Sequence, residues 1–141
     1  MIDYTKFRLA LKRLEEQHEN YCEVDSALPE LLREAIAESV IQRFETCYDC
    51  LWKILKRYLI EEFGLAELPN SPKPLFRIAH ENNLLPSPVE QWLQYADARI
   101  NTSHDYDGEK AKACLVLMPG FIEDAIGLYQ TMTGLTWTPE P

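Results

Sequence analysis

The strongest constraint on this chain is a set of apolar seams that recur at steps of three and four residues. One runs through Val40, Phe44, Cys47, Leu51, Leu55 and Tyr58, with Tyr48, Trp52 and Leu59 widening it. Another runs through Cys114, Met118, Phe121, Ala125, Leu128 and Met132, and a third through Tyr4, Phe7, Leu11, Leu14, His18 and Tyr21. That period belongs to the α-helix, whereas a half-buried strand needs alternation by two. Glycine occurs only 5 times in 141 residues, and strand-like alternation is hard to find. The expectation is an all-α protein, an antiparallel bundle of four main helices plus one short one.

Punctuation residues set the expected boundaries. The first helix should run from about Asp3 to Asn20, with Asp3 as its cap. The second should run from about Pro29 to Phe63, with Ser26 as a cap and Gly64 as a stop. At ~1.5 Å per residue it would be about 50 Å long, more than a small bundle needs, so part of it can serve a partner. Residues 65–73 form a Pro-rich connector, and a short helix covers Pro74 to Asn82. A fourth helix follows, with Ser87 as cap and Pro88 at its first position. Asn101, Thr102 and Ser103 compete for backbone hydrogen bonds, so a break is expected there. Asp107-Gly108 restarts a last helix, which Pro119 should kink or break and Gly134 should end. Residues 1–134 therefore read as one helical domain, and 135–141 as a short tail.

Composition excludes several classes. There is no apolar run long enough to cross a bilayer, and the N-terminus lacks a signal peptide's apolar core, so a cytoplasmic place is expected. A net charge of −9 argues against coating nucleic acid non-specifically. It leaves room for a local basic site, for which Lys53, Lys56 and Arg57 at i, i+3 and i+4 are candidates; the same three also fit a solvated helix face. Cys47 and Cys50 form a C-x-x-C inside a helical pattern, without a second Cys/His pair at zinc spacing, and read as reduced thiols. No metal or cofactor is expected.

One short segment carries chemistry: Arg99-Ile100-Asn101-Thr102-Ser103-His104-Asp105-Tyr106. Arg99 lies on or beside the stripe Val89, Trp92, Leu93, Ala96 and Ile100. A guanidinium there must be paired, or must line an interface or pocket. On an ideal helix Arg99 and His104 stand roughly 140° apart, and a break between them would let them converge. Histidine suits proton transfer near neutral pH, and arginine suits stabilisation of phosphate charge. Together they fit a metal-free site in which a ribose 2′-hydroxyl attacks its own 3′-phosphate. Blander readings stand beside this one. Arg99 can pair with a helix-two acid such as Glu45, His104 can cap a helix C-terminus, and Tyr106 can be a packed aromatic with a wet hydroxyl.

The pattern R-x-x-x-x-H-x-Y, here Arg99, His104 and Tyr106, resembles the signature of HEPN domains (higher eukaryotes and prokaryotes nucleotide-binding) of the HepT type. Ile41-Gln42-Arg43-Phe44-Glu45 with Trp52-Lys53, the stretch from Arg99 to Asp107, and the late Pro119 resemble the branch described as nucleotidyltransferase substrate-binding proteins. The resemblance covers about Tyr4 to Met132. It implies a bundle that forms a homodimer, with two R-x-x-x-x-H segments facing each other across a cleft. It implies metal-independent cleavage of RNA by Arg99 and His104. Beside this, Asn101, Glu45 and Asp105 are candidates for a supporting role, and Lys53, Lys56 and Arg57 are candidates for RNA or nucleotide contact. The resemblance also implies a partner, a minimal nucleotidyltransferase antitoxin that transfers AMP to Tyr106 and silences the toxin. The branch name implies an alternative, a non-catalytic subunit that binds nucleotide or substrate for a two-component nucleotidyltransferase.

Overall fold

A computed structural model describes residues 1–104 and 108–137, with backbone alone at Ser103 and His104. The described residues hold five helices and no strand: α1 (Thr5–Cys22), α2 (Glu30–Phe63), α3 (Pro72–Glu81), α4 (Val89–His104) and α5 (Gly108–Thr133). Among them no helix is long and apolar enough to cross a membrane. The all-α expectation holds, and the seams pack as their spacing requires. Phe7, Leu11 and Leu14 of α1, Val40, Phe44, Cys47, Leu51, Leu55 and Leu59 of α2, and Cys114, Met118, Phe121, Ala125, Leu128 and Met132 of α5 are all buried. The most extensive packing is α1 against α2, and α5 touches α1, α2 and α4.

Six aromatic side chains close a ring through the centre. Phe44 meets Phe121 edge-on at 4.9 Å between centroids, and Phe121 meets Tyr95 at 5.1 Å. Tyr95 meets Trp92 at 5.5 Å and Trp92 meets Phe76 at 5.3 Å. Phe76 reaches Tyr48 at 6.1 Å, which returns to Phe44 at 5.9 Å. Edge-on pairs add about 0.5–1.5 kcal/mol each beyond the area they bury. The ring draws on α2, α3, α4 and α5, so it fixes the register of α4 against α2. Arg99 lies one helical turn beyond Tyr95.

Several ends differ from the sequence expectation. Asp3 does not occupy the cap position of α1; Tyr4 does, and Asp3 Oδ1 accepts from the Thr5 N–H at 2.9 Å instead. Ser26 does not cap α2, which opens on Pro29 without a side-chain cap. The short helix starts two residues early, because Pro72 supplies a preset φ at its first position. Ser87 Oγ is buried without a partner among the described residues, so it does not cap α4. Gly64 does end α2, in the left-handed region at φ 65°, with the Leu65 N–H donating to the Leu59 carbonyl at 3.2 Å. Pro119 does not break α5, which runs through it.

The expected break at Asn101–Ser103 is absent, because α4 continues to His104. The physical reason is tertiary. Thr102 is buried, and its hydroxyl donates across to Glu45 of α2 at 2.8 Å. A helical Thr102 is thus favoured by a contact that the local sequence does not contain.

Candidate functional site

The inward face of α4 is rotated by about one position from the expected stripe. Trp92, Tyr95, Ala96 and Thr102 are buried, Arg99 is half-buried, and Ile100 is 51% exposed. Arg99 therefore lies on the inward face itself. Opposite it, Glu45 and Asp49 stand four residues apart on α2, one above the other on a single face.

Asp49 grips one edge of the guanidinium. Arg99 Nε donates to Asp49 Oδ1 at 3.2 Å and Nη2 donates to Oδ2 at 3.1 Å. This bidentate fork is the geometry that distinguishes arginine from lysine. Nη1 reaches Glu45 Oε2 at 3.4 Å, and that oxygen also accepts from Thr102 Oγ1. The hydrogen bonds that Arg99 donates to Asp49 push the Arg99 pKa further up, against the opposing effect of burial, so the charge is permanent. Arginine carries five N–H groups, and three are engaged here; two have no partner among the described residues.

Beside this cluster lies a cavity of about 390 Å³, lined among others by Tyr48, Asp49, Trp52, Pro72, Lys73 and Arg99. Burial first, then Asp49, pushes the Tyr48 phenol well above its ordinary range, so it stays neutral. Lys73 is tied to Asp97 at 2.6 Å.

The other sequence candidates fall as follows. His104 is the last residue of α4, five residues beyond Arg99 on an unbroken helix, so the unwound turn expected between them is absent. Asn101 is exposed. Asp105 and Tyr106 lie outside the described residues. Lys53, Lys56 and Arg57 have different surroundings. Lys56 donates to Asn70 of the α2–α3 connector at 3.3 Å, and Arg57 pairs with Glu61 at 2.9 Å. Lys53 sits 5.8 Å from the Trp52 ring and lines a different cavity together with Arg57. Cys47 is a buried thiol, pushed well above its usual pKa by that burial. Among the described residues no group of three His, Cys, Asp or Glu could hold a metal ion.

Sequence reasoning missed Asp49 and Thr102. The available signal was spacing: Asp49 repeats the Glu45 face after one turn, and Thr102 repeats the Arg99 face after three residues.

Comparison with known proteins agrees with this architecture. The family model described as nucleotidyltransferase substrate binding protein like matches residues 2–134. A Haemophilus influenzae protein described as a probable ribonuclease HepT is 27% identical over 110 residues, covering 74% of this chain and 72% of that protein. A crystal structure from Thermus thermophilus shares 27% identity with a TM-score of 0.75, covering 90% of this chain and 98% of that one. A second solved structure, from Haemophilus influenzae and described as the substrate binding domain of a nucleotidyltransferase, superposes with a TM-score of 0.83. At 24% identity it covers 92% of this chain and 98% of its own, and it speaks to the fold.

Proposed function

Because the chain belongs to the HepT-like, nucleotidyltransferase substrate-binding family, we propose that it is a metal-independent endoribonuclease toxin controlled at Tyr106. The observation that carries this reading is the half-buried Arg99, anchored along one edge by Asp49 with two N–H groups left over. A guanidinium held in that way is preorganised for the charge of a phosphorane and needs no reorganisation when the charge develops.

In the proposed reaction the ribose 2′-hydroxyl attacks the adjacent phosphorus while its proton passes to the His104 imidazole. The bond from phosphorus to the 5′-oxygen breaks, and that oxygen takes a proton from an imidazolium. The products are a 2′,3′-cyclic phosphate and a 5′-hydroxyl. Positions 99 and 104 lie about 140° apart around one continuous helix, so a site composed from two chains fits the chemistry better than one chain does. Exposed apolar residues on the free end of α2, Leu31 at 76% and Leu32 at 51%, support a second copy or partner there. AMP transferred to Tyr106 by a partner nucleotidyltransferase would bring bulk and negative charge within two residues of His104 and repel RNA.

A second reading, a non-catalytic subunit that holds nucleotide for a nucleotidyltransferase, has its own support. Two carboxylates face one guanidinium, and the adjacent cavity with Trp52 is of small-molecule size. One experiment separates the two. Purified protein and its His104→Ala variant are incubated with RNA, and protein co-expressed with a partner nucleotidyltransferase is examined by mass spectrometry. Cleavage lost in the variant, with AMP on Tyr106 abolishing it in the wild type, supports the toxin. Absence of cleavage in both, with nucleotide affinity lost in Arg99→Ala, supports the subunit.

A further inference from the structure

For a chain of net charge −9, the surface between α1 and α2 is out of character. Two cavities of about 560 and 390 Å³ lie along it and share Lys6, Thr46 and Cys50 as lining residues, so they form one continuous groove. Its cations are Lys6 and Arg13 from α1 and Arg43, Lys53 and Arg57 from α2; its acids are Asp3, Glu16 and Asp49. Asp49 is taken by Arg99 and Arg57 by Glu61. Lys6, Arg13, Arg43 and Lys53 make no ion pair among the described residues.

The arrangement follows from helical spacing. Lys6 and Arg13 are seven apart on α1, and Arg43, Thr46, Cys50 and Lys53 fall on one face of α2. Arg43 donates to the Arg13 carbonyl at 3.0 Å, which places the two arginines together at one end of the groove. At the middle, Lys6, Cys50 and Lys53 line the same cavity, and the two ammonium charges pull the thiol down against burial and Asp49. From Arg43 to Lys53 the groove spans about 15 Å of helix. At ~3.4 Å per nucleotide that is the length of about four phosphates of a stacked strand.

The groove also has a direction. Asp49 lines both its second cavity and the cavity beside Arg99. We propose that the α1–α2 groove is the track for the phosphate backbone of a single-stranded RNA, with Lys6, Arg13, Arg43 and Lys53 leading the strand past Asp49 to Arg99. Charge complementarity selects the occupant: unpaired cations in a row on an acidic protein attract a polyanion along that row and repel one elsewhere. Lys56, tied to the connector, is not part of the track. The inference rests on the ribonuclease reading for the nature of the strand, but its test does not need cleavage.

The test measures binding of a labelled single-stranded RNA to full-length His104→Ala protein by fluorescence anisotropy between 50 and 200 mM salt, as a salt range of that order resolves phosphate contacts. The same is done for this protein carrying Lys6→Gln, Arg13→Gln, Arg43→Gln and Lys53→Gln together. Arg77→Gln, on the exposed face of α3, serves as the charge control. The fourfold variant should bind at least about tenfold more weakly, and the slope of log affinity against log salt should shrink by about 3. Arg77→Gln should change neither. A DNA strand of the same sequence should lose affinity in parallel, because phosphates carry the contact. Unchanged RNA affinity or slope in the fourfold variant overturns the track, as does absence of RNA binding by the parent at 50 mM salt. Intact RNA binding with loss of the nucleotidyltransferase complex also overturns it, and makes the groove a protein-docking face. Groove-dependent binding by a wild-type protein that cleaves no RNA leaves the track standing and removes the ribonuclease reading.

Discussion

The two charged regions of α2 use the same residue types for opposite tasks. Toward α4, Glu45 and Asp49 hold Arg99 in place, and its charge is balanced and half-buried. Toward α1, Arg43 and Lys53 stand with Lys6 and Arg13 and form no ion pair among the described residues. Lys6, Arg13 and Lys53 are exposed, whereas Arg43 is half-buried like Arg99 and differs from it in facing no carboxylate partner among the described residues. A cation leaving water must recover its solvation from partners, whereas an exposed one keeps water and remains available to a ligand. In the proposed function the fixed arginine would orient chemistry, and the row of cations would gather substrate.

Loss of Asp49 tests the first half of this comparison most severely. In Asp49→Asn the fork on Arg99 Nε and Nη2 is lost, and kcat for RNA cleavage should fall about 10- to 100-fold through misplacement. KM should stay nearly constant, because the groove still collects the strand. A rise in KM at constant kcat would show that Asp49 serves binding rather than orientation.

Stability should divide the same way. Arg99→Ala leaves Glu45 and Asp49 as like charges one turn apart and should cost about 1–3 kcal/mol in denaturant unfolding. Arg43→Ala removes one hydrogen bond to the Arg13 carbonyl and no ion pair, and should cost less, about 0.5–1 kcal/mol. Equal losses at the two positions would break the distinction between an arginine held by carboxylates and one held only by a backbone carbonyl.

Cys50 supplies the smallest and most local readout. Burial first, then Asp49, pushes its thiol up, while Lys53 and Lys6 pull it back. Lys6→Gln with Lys53→Gln removes the downward influences, so the pKa rises further and less thiolate exists at a given pH. Alkylation of Cys50 at pH 8, followed by peptide mass spectrometry, should slow by about two- to threefold. Below the thiol's pKa the rate should fall about tenfold per pH unit in both proteins. Faster alkylation in the variant would mean that the two lysines shield the sulfur instead of setting its potential.

Much of this is legible in the chain itself. Helical spacing locates the seams of α1, α2 and α5, since a buried face must repeat with the helix. Gly64 marks the stop of α2 because a left-handed residue is cheapest without a Cβ. Arg99 stands out as a charge on an apolar face, and Glu45 is foreseeable as its partner. Asp49 and Thr102 are not, since nothing local tells which turn of α2 faces which turn of α4. The break expected at Asn101–Ser103 fails for the same reason: propensity favours unwinding, and the contact from Thr102 to Glu45 opposes it.

The sequence by itself determined that this protein is helical, where its apolar faces lie, and that Arg99 stands as a charge among them. Those features depend on local period and residue type. Only the tertiary structure decided which acids hold Arg99, that α4 runs unbroken to His104, and that four scattered cations line one groove. Such facts depend on the relative register of helices far apart in sequence, which packing sets through the aromatic ring for α2 to α5 and through the buried Phe7, Leu11 and Leu14 for α1.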